Sequence, residues 1–240
     1  MNKTKIEWTQ VTWNPITGCS KVSEGCKNCY AERMSKRLKS MKNKRYINGF
    51  DVTIHKDLFE EPLKWKSSKI VFVNSMSDIF HELIPDEVIL ELFKIMNKAK
   101  IHIFQVLTKR PERLKKLANK ISWTDNIWMG VTVENQKNTN RIDILRQTNA
   151  HIKFISFEPL LEEISNLNLE NIDWAIVGGE SGPGAREIKK EWVMSLKEQC
   201  RNYNVKFFFK QWGGVNKKKN GRLLDGKEYN EMPNINIKNS

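Results

Sequence analysis

Seven short, nearly uninterrupted apolar runs recur along this 240-residue chain, and no other feature limits its fold as strongly. They lie at 11–14 (VTWN), 70–74 (IVFVN), 101–107 (IHIFQVL), 127–133 (IWMGVTV), 152–157 (IKFISF), 174–177 (WAIV) and 205–209 (VKFFF). Runs this short, without a polar residue at every second place, suit strands covered on both faces, as in a parallel sheet. Amphipathic patterns fall between them, clearest at 30–39, 86–98, 111–119, 136–147 and 190–203. Pro85-Asp86 and Arg110-Pro111 mark two helix starts, because proline is tolerated in the first turn. The pattern predicts an α/β fold: a complete or partial (β/α) barrel of parallel strands, with an open doubly wound sheet as the alternative. No internal repeat decides between them.

A chain of this length can bury a full core as one domain. The reading is a single barrel domain over 1–214 and a polar tail over 215–240 that runs along the surface. Residues 41–69 lack a clean period and outrun the usual helix-to-strand connection, so they are expected to form an insertion or lid. No apolar stretch reaches the roughly 18 residues of a membrane span, and the start MNKTKIEWTQ lacks the apolar centre of a secretion signal. A soluble, cytoplasmic protein with no membrane partner is expected.

Three of the four cysteines, Cys19, Cys26 and Cys29, fall within eleven residues of the stretch WNPITGCSKVSEGCKNCYAERM. That clustering does not suit a secreted disulfide framework. Structural zinc sites and most iron–sulfur carriers close with four protein ligands, so a local set of three suggests that a cofactor completes the coordination. The Cys26-x-x-Cys29 step lets both sulfurs face one metal or cluster, and Gly18 permits a tight backbone approach before the first thiol. Cys200, inside the helical pattern EWVMSLKEQCRNY, reads as a small buried hydrophobe. A redox thiol pair at Cys26 and Cys29 would leave Cys19 unexplained and lacks the thioredoxin-like βαβ setting.

Lysine and arginine number 41 against 28 acidic residues, and the net charge of +13 favours a polyanionic partner. The densest basic stretch directly follows the cysteines, and Arg33, Lys36, Arg37 and Arg45 in it are candidate nucleic-acid contacts. The chain is also rich in Asn and Ile, a compositional habit that raises lysine everywhere, so charge alone decides nothing.

In a parallel barrel the functional groups collect where strands end, and polar residues stand at nearly every such point here. Asn14 follows the first run, and Asn74, Ser75 and Asp78 follow the second. Thr108 and Lys109 end the third, Thr132 and Glu134 the fourth, Ser156 and Glu158 the fifth. Gly178, Gly179 and Glu180 follow the sixth, and Lys210 the seventh. Together they read as a lined cavity of both charge signs, with Lys109, Glu134, Glu158 and Lys210 as catalytic candidates and the strand-end groups from Asn14 to Glu180 as cofactor contacts. Glycines in VGGESGPGARE would let backbone N–H groups approach a ligand, although neither a Walker loop nor GxGxxG is present. The histidines are scattered; His102 reads as structural, and His81 is placed to reach the cavity only through the second strand-end loop.

With a cysteine triplet after the first strand and polar strand ends around a barrel, the chain resembles radical S-adenosylmethionine (SAM) enzymes. More closely, the cysteine stretch together with VNSMSDIF, LTKRP, GVTVEN, FEPLL, VGGESG and KQWGG is similar to a phage-type three-cysteine-motif family of unknown function, over residues 5–214. The resemblance implies a [4Fe–4S] cluster on Cys19, Cys26 and Cys29 whose remaining iron binds the amino and carboxylate groups of SAM. Reductive cleavage of SAM would then yield a 5′-deoxyadenosyl radical. Asn74 to Asp78 would lie by the methionyl amine, and Glu134 and Glu158 by the SAM ribose or the substrate. The wider superfamily places three residues in the first cysteine gap and an aromatic before the last cysteine; this chain has six, and Tyr30 after it.

Two functions from different classes emerge. One is a radical SAM enzyme that modifies or repairs a nucleic-acid or nucleotide substrate, fed by an external electron donor and compatible with a partner protein. The other is a non-catalytic nucleic-acid-binding protein whose cysteines and a distant fourth ligand hold zinc. Metal content separates them.

Overall fold

The computed structural model describes residues 2–4 and 6–234. Among these the strands are β1 (Asn2–Lys3), β2 (Val11–Trp13), β3 (Ile16–Thr17), β4 (Thr53–Ile54), β5 (Ile70–Val73), β6 (Ile103–Thr108), β7 (Ile127–Thr132), β8 (Ile152–Phe157), β9 (Trp174–Gly178) and β10 (Lys206–Gln211). The helices are α1 (Tyr30–Ser40), α2 (Asp86–Lys98), α3 (Pro111–Ala118), α4 (Asn140–Arg146), α5 (Lys190–Asn202) and the short α6 (Lys217–Asn220).

Seven strands pair in parallel in the order β2-β5-β6-β7-β8-β9-β10, and β1 lies antiparallel on the outer edge of β2. This order follows the chain without reversal. A doubly wound sheet needs a reversal to place helices on both faces, so that alternative is set aside. The sheet instead curls into a half-barrel, with β1 and β10 at its two ends.

The two faces of the sheet bury different sets of residues, since successive side chains point to opposite faces. Val71, Val73, Phe104, Val106, Met129, Val131, Ile155, Phe157 and Phe209 share one core with Leu92, Leu114, Leu117, Leu145, Val193 and Leu196 of the helices. Ile103, Trp128, Phe154, Trp174, Ile176 and Phe208 form a second core with Trp8 on the concave side. Helices α2, α3, α4 and α5 therefore cover the convex face. The concave face is graded along its axis: aromatic at the strand starts and polar at the ends of β7 and β8, where Thr132 and Ser156 stand. Trp8 stops the lower end, its ring 4.7 Å from Phe72 and 6.2 Å from Trp174. Gly130 faces Phe154 across the β7–β8 pair, and a Cβ on it would come within 2.5 Å of that ring.

The predicted helix at 86–98 matches α2, where Asp86 and Glu87 in the first turn and Lys98 in the last complement the helix dipole. Its buried Ile89, Leu92, Phe93 and Met96 repeat at three and four residues, one face toward the sheet. The predicted helix at 136–147 is broken into a 3-10 turn (Gln136–Asn138) and α4. Local hydrogen bonds cause the break: Asn138 donates to Asn135 Oδ1 at 2.6 Å and Thr139 to the Gln136 carbonyl at 2.9 Å, competing with helix bonds.

Residues 41–69 carry structure of their own, three 3-10 turns and β4, which pairs with β3. Tight turns explain why no helical or strand period shows in their sequence. Past Gly214, residues up to 234 loop through α6 and return along β10. Phe209 N–H donates to the Tyr229 carbonyl at 2.9 Å and Phe207 N–H to Glu231 Oε2 at 2.8 Å, so the last strand's outer groups are occupied. Lys217 Nζ meets Glu7 Oε1 at 3.0 Å, linking this segment to the N-terminal one. Residues 235–240 of the predicted tail lie outside the described residues. No helix among the described residues is long and apolar enough to cross a membrane.

Candidate metal and cofactor site

Gly18 places the first thiol. Its φ of +84° and the Asp51 carbonyl 2.1 Å from where a Cβ would sit exclude any other residue without rearrangement. Gly18 N–H donates to the Met76 carbonyl at 3.0 Å, and Cys19 N–H to the Phe50 carbonyl at 3.1 Å. Cys19 is thus fixed between the loop after β5 and the 41–69 segment. Cys26 ends a 3-10 turn (Glu24–Cys26), and Cys29 immediately precedes α1. All three thiols are half-buried.

They line one cavity together with Asn74, Asp78, Thr108, Lys109, Arg110 and Thr132 from the ends of β5, β6 and β7, closed laterally by Phe50, Phe72 and Leu107. The fold therefore gathers the cysteine stretch and three of the predicted polar strand ends. Burial pushes the Cys19 thiol up to about 12, helped by the Asp78 charge and opposed by Arg110. The Cys26 thiol is held below its usual range: burial works against this, but the Lys109 cation and hydrogen bonds from Val22 and Ser23 outweigh it. Among the described residues no three His, Cys, Asp or Glu side chains are drawn together as a ready single-ion site.

Asp78 is saturated, accepting from Thr108 Oγ1 at 2.8 Å, Lys109 N–H at 2.9 Å and Phe80 N–H at 3.0 Å. It joins the β5 and β6 ends. Two other groups in the cavity wall are not satisfied: Asn74 Nδ2 and Thr132 Oγ1 are buried with no partner. Buried polar groups are paired as a rule, so these two mark where a ligand's polar atoms belong.

The remaining predicted residues stand around this cavity. Asn14 Oδ1 accepts from Ser75 Oγ and Met76 N–H, both at 3.1 Å, and so ties β2 to the β5 loop. Glu134 pairs with Arg141 at 2.8 Å, while its Oε1 is unpartnered and lies 3.0 Å from the Cβ position of Gly25, beneath the cysteine loop. Glu158 pairs with Lys210 at 2.8 Å and accepts from Ser156 Oγ at 3.3 Å, with Gly178 leaving the room its carboxylate needs.

The glycine-rich segment after β9 meets the cysteine stretch. Glu180 accepts from Asn28 Nδ2 at 2.9 Å and from Arg186 at three donors, and Arg33 donates to the Ser181 and Pro183 carbonyls. The bare face of Gly182, at φ +98°, admits the Arg33 guanidinium. Gly179 N–H donates to the Gln211 carbonyl and Gly182 N–H to the Gly214 carbonyl, both at 3.0 Å. These backbone donors are taken by the chain itself. Of the basic candidates, Arg33 is thereby occupied, Lys36 pairs with Glu32 and Arg45 with Asp57, and Arg37 is exposed.

Residues with no local signal complete the site: Phe50 comes from the aperiodic 41–69 segment, and Ser20 and Glu82 are brought to Arg110 by the fold. Arg110 had a signal, its place at a strand end.

A half-barrel of seven parallel strands, with three cysteines in the connection between β2 and β5, has the radical SAM-like fold. Spore photoproduct lyase complexed with dinucleoside spore photoproduct superposes with a TM-score of 0.50 at 10% sequence identity, over 85% of this chain and 64% of that one. A mutant of that enzyme with bound AdoMet and dinucleoside spore photoproduct superposes at 0.49, with the same identity and coverage. This chain thus spans 64% of the length of the enzyme it is compared with. The chain belongs to the family described as Protein of unknown function (DUF5131), which matches residues 3–233. No curated protein matches it in sequence.

Proposed function

We propose that this protein is a radical SAM enzyme that holds a [4Fe–4S] cluster on Cys19, Cys26 and Cys29 and acts on a nucleic-acid or nucleotide substrate. The observation that carries the reading is the single cavity in which three half-buried thiols meet two buried polar groups without partners. The donor set fits: soft thiolates suit an iron–sulfur cluster, and three of them leave one iron for SAM. Bound there, cluster and SAM would supply one-electron cleavage of a sulfonium bond.

The chain's own residues bind and orient. Asn74 Nδ2 offers a donor to a carboxylate, Thr132 Oγ1 can donate or accept, and Lys109 brings a cation to the same wall. Phe50, Phe72 and Leu107 exclude water from that side. Glu158 and Lys210 stand further along the strand ends, where a substrate reaching past SAM would meet charges of both signs, while Glu134 lies beneath the cysteine loop and supports it from below. The net charge of +13 supports an anionic substrate, and the structure with the similar fold holds a dinucleoside spore photoproduct. The electron would come from an external donor.

Anaerobic reconstitution with iron and sulfide, followed by dithionite and SAM, tests the reading. Expected are a brown protein and 5′-deoxyadenosine, both abolished by Cys19→Ala, Cys26→Ala or Cys29→Ala. A colourless protein that takes up zinc instead would support the non-catalytic nucleic-acid-binding alternative. An intact cluster with no SAM cleavage would remove the enzyme assignment and leave the metal site.

A further inference from the structure

Arg110 is a buried cation, 8% exposed, at the wall of the cysteine cavity. It donates from Nε to Glu82 Oε2 at 2.9 Å and from one terminal nitrogen to Ser20 Oγ at 2.8 Å and the Ser20 carbonyl at 3.3 Å. Ser20 directly follows Cys19. Its hydroxyl also lies 2.9 Å from His81 Nε2 and donates to Glu82 Oε1 at 3.2 Å. His81 Nδ1 accepts from Leu83 N–H at 3.1 Å, which puts the ring proton of the neutral imidazole on Nε2, facing Ser20. The Ser20 oxygen therefore accepts twice and donates once. This arrangement cannot work as a nucleophile with its base, because the imidazole has no lone pair turned to the hydroxyl.

We propose that Ser20, His81, Glu82 and Arg110 form a positioning unit that fixes the Cys19 end of the cysteine loop and sets how readily a cluster on Cys19, Cys26 and Cys29 accepts an electron. The inference rests on the cluster reading above and concerns what this chain adds to it. Reduction brings in one electron from the external donor, breaks no bond and increases the negative charge at the thiolates. A nearby cation favours that change and a nearby anion opposes it. The two charges of the Arg110–Glu82 pair are unequally screened: the arginine side chain is 8% exposed and the glutamate 61%. Water screens Glu82 more, so the pair presents a net positive field to the cavity.

The test is an EPR-monitored redox titration of reconstituted wild type, Arg110→Gln, Arg110→Lys, Glu82→Gln and Ser20→Ala, with iron and sulfide counted in each. Arg110→Gln is expected to shift the reduction equilibrium about tenfold against reduction, a fall of about 59 mV for a one-electron couple. Glu82→Gln is expected to shift it the other way by less, and Arg110→Lys to keep the wild-type value. Ser20→Ala, which retains both charges, should keep the potential and lose iron faster to a chelator. Fully loaded Arg110→Gln and Glu82→Gln proteins whose potentials move together, or not at all, overturn the proposal. If Arg110→Gln takes up no cluster, the sign of the Glu82→Gln shift decides alone. A wild type that forms no cluster overturns the underlying metal reading instead.

Discussion

A buried hydroxyl left without a partner costs about 1–3 kcal/mol, and Thr132, 1% exposed, carries one into the cavity wall. Valine has nearly the same shape and no such group. Thr132→Val is therefore expected to stabilise the ligand-free protein by about 1 kcal/mol in denaturant unfolding and to weaken SAM binding about fivefold in calorimetry. A less stable variant would mean that the hydroxyl already has a partner and would remove Thr132 from the proposed contacts. Asn74 is a poorer probe, since its Oδ1 also accepts from Ile16 N–H at 3.3 Å and its φ of +56° suits asparagine. The thiols were legible because they are neighbours in sequence. Ser20 meets Glu82 across 62 positions and Arg110 across 90, and no local pattern records pairs that only the fold creates.

Strands were legible because a parallel sheet buries both faces and leaves apolar runs; those at 152–157 and 127–133 fall within a residue of β8 and β7. The helix over 136–147 was not, because Asn138 and Thr139 bond locally and nothing in a periodicity shows that competition. Gly130 shows the same limit inside a strand. Its role depends on Phe154, its partner across the β7–β8 pair, whose ring fills the space a Cβ would take. Gly130→Ala is expected to cost about 1–3 kcal/mol through overpacking, and Phe154→Leu in the same chain to recover part of that loss. Thermal or denaturant melts of the two single variants and the double variant check this. Strictly additive losses would show that the two positions do not share the space.

For the whole molecule, acid is the sharper stress. His55, His81 and His102 are buried, and burial, the largest cause, holds each below the usual 6.5. The folded state then keeps them neutral while the unfolded chain takes up protons. Their contribution is fully present above pH 6.5 and is lost as pH falls below it. Each extra proton on the unfolded chain steepens the loss by about 1.4 kcal/mol per pH unit. Denaturant unfolding between pH 7.5 and pH 5 should record that fall, with a shallower slope in His102→Gln; equal slopes would mean that His102 titrates as freely folded as unfolded.

The curl of the whole sheet was legible only as a choice between two folds, because helix–strand alternation is shared by both and strand order is a property of the assembled molecule. The returning segment beside β10 was less legible still: residues 221–231 read as polar surface, yet their main chain and Glu231 occupy the outer N–H groups of Phe207 and Phe209. During synthesis those two amides leave the ribosome some twenty residues ahead of Tyr229 and Glu231, with nothing yet to hold them. The nascent sheet thus passes through an interval with an uncovered rail, which the arrival of this later segment closes to pairing with another growing chain.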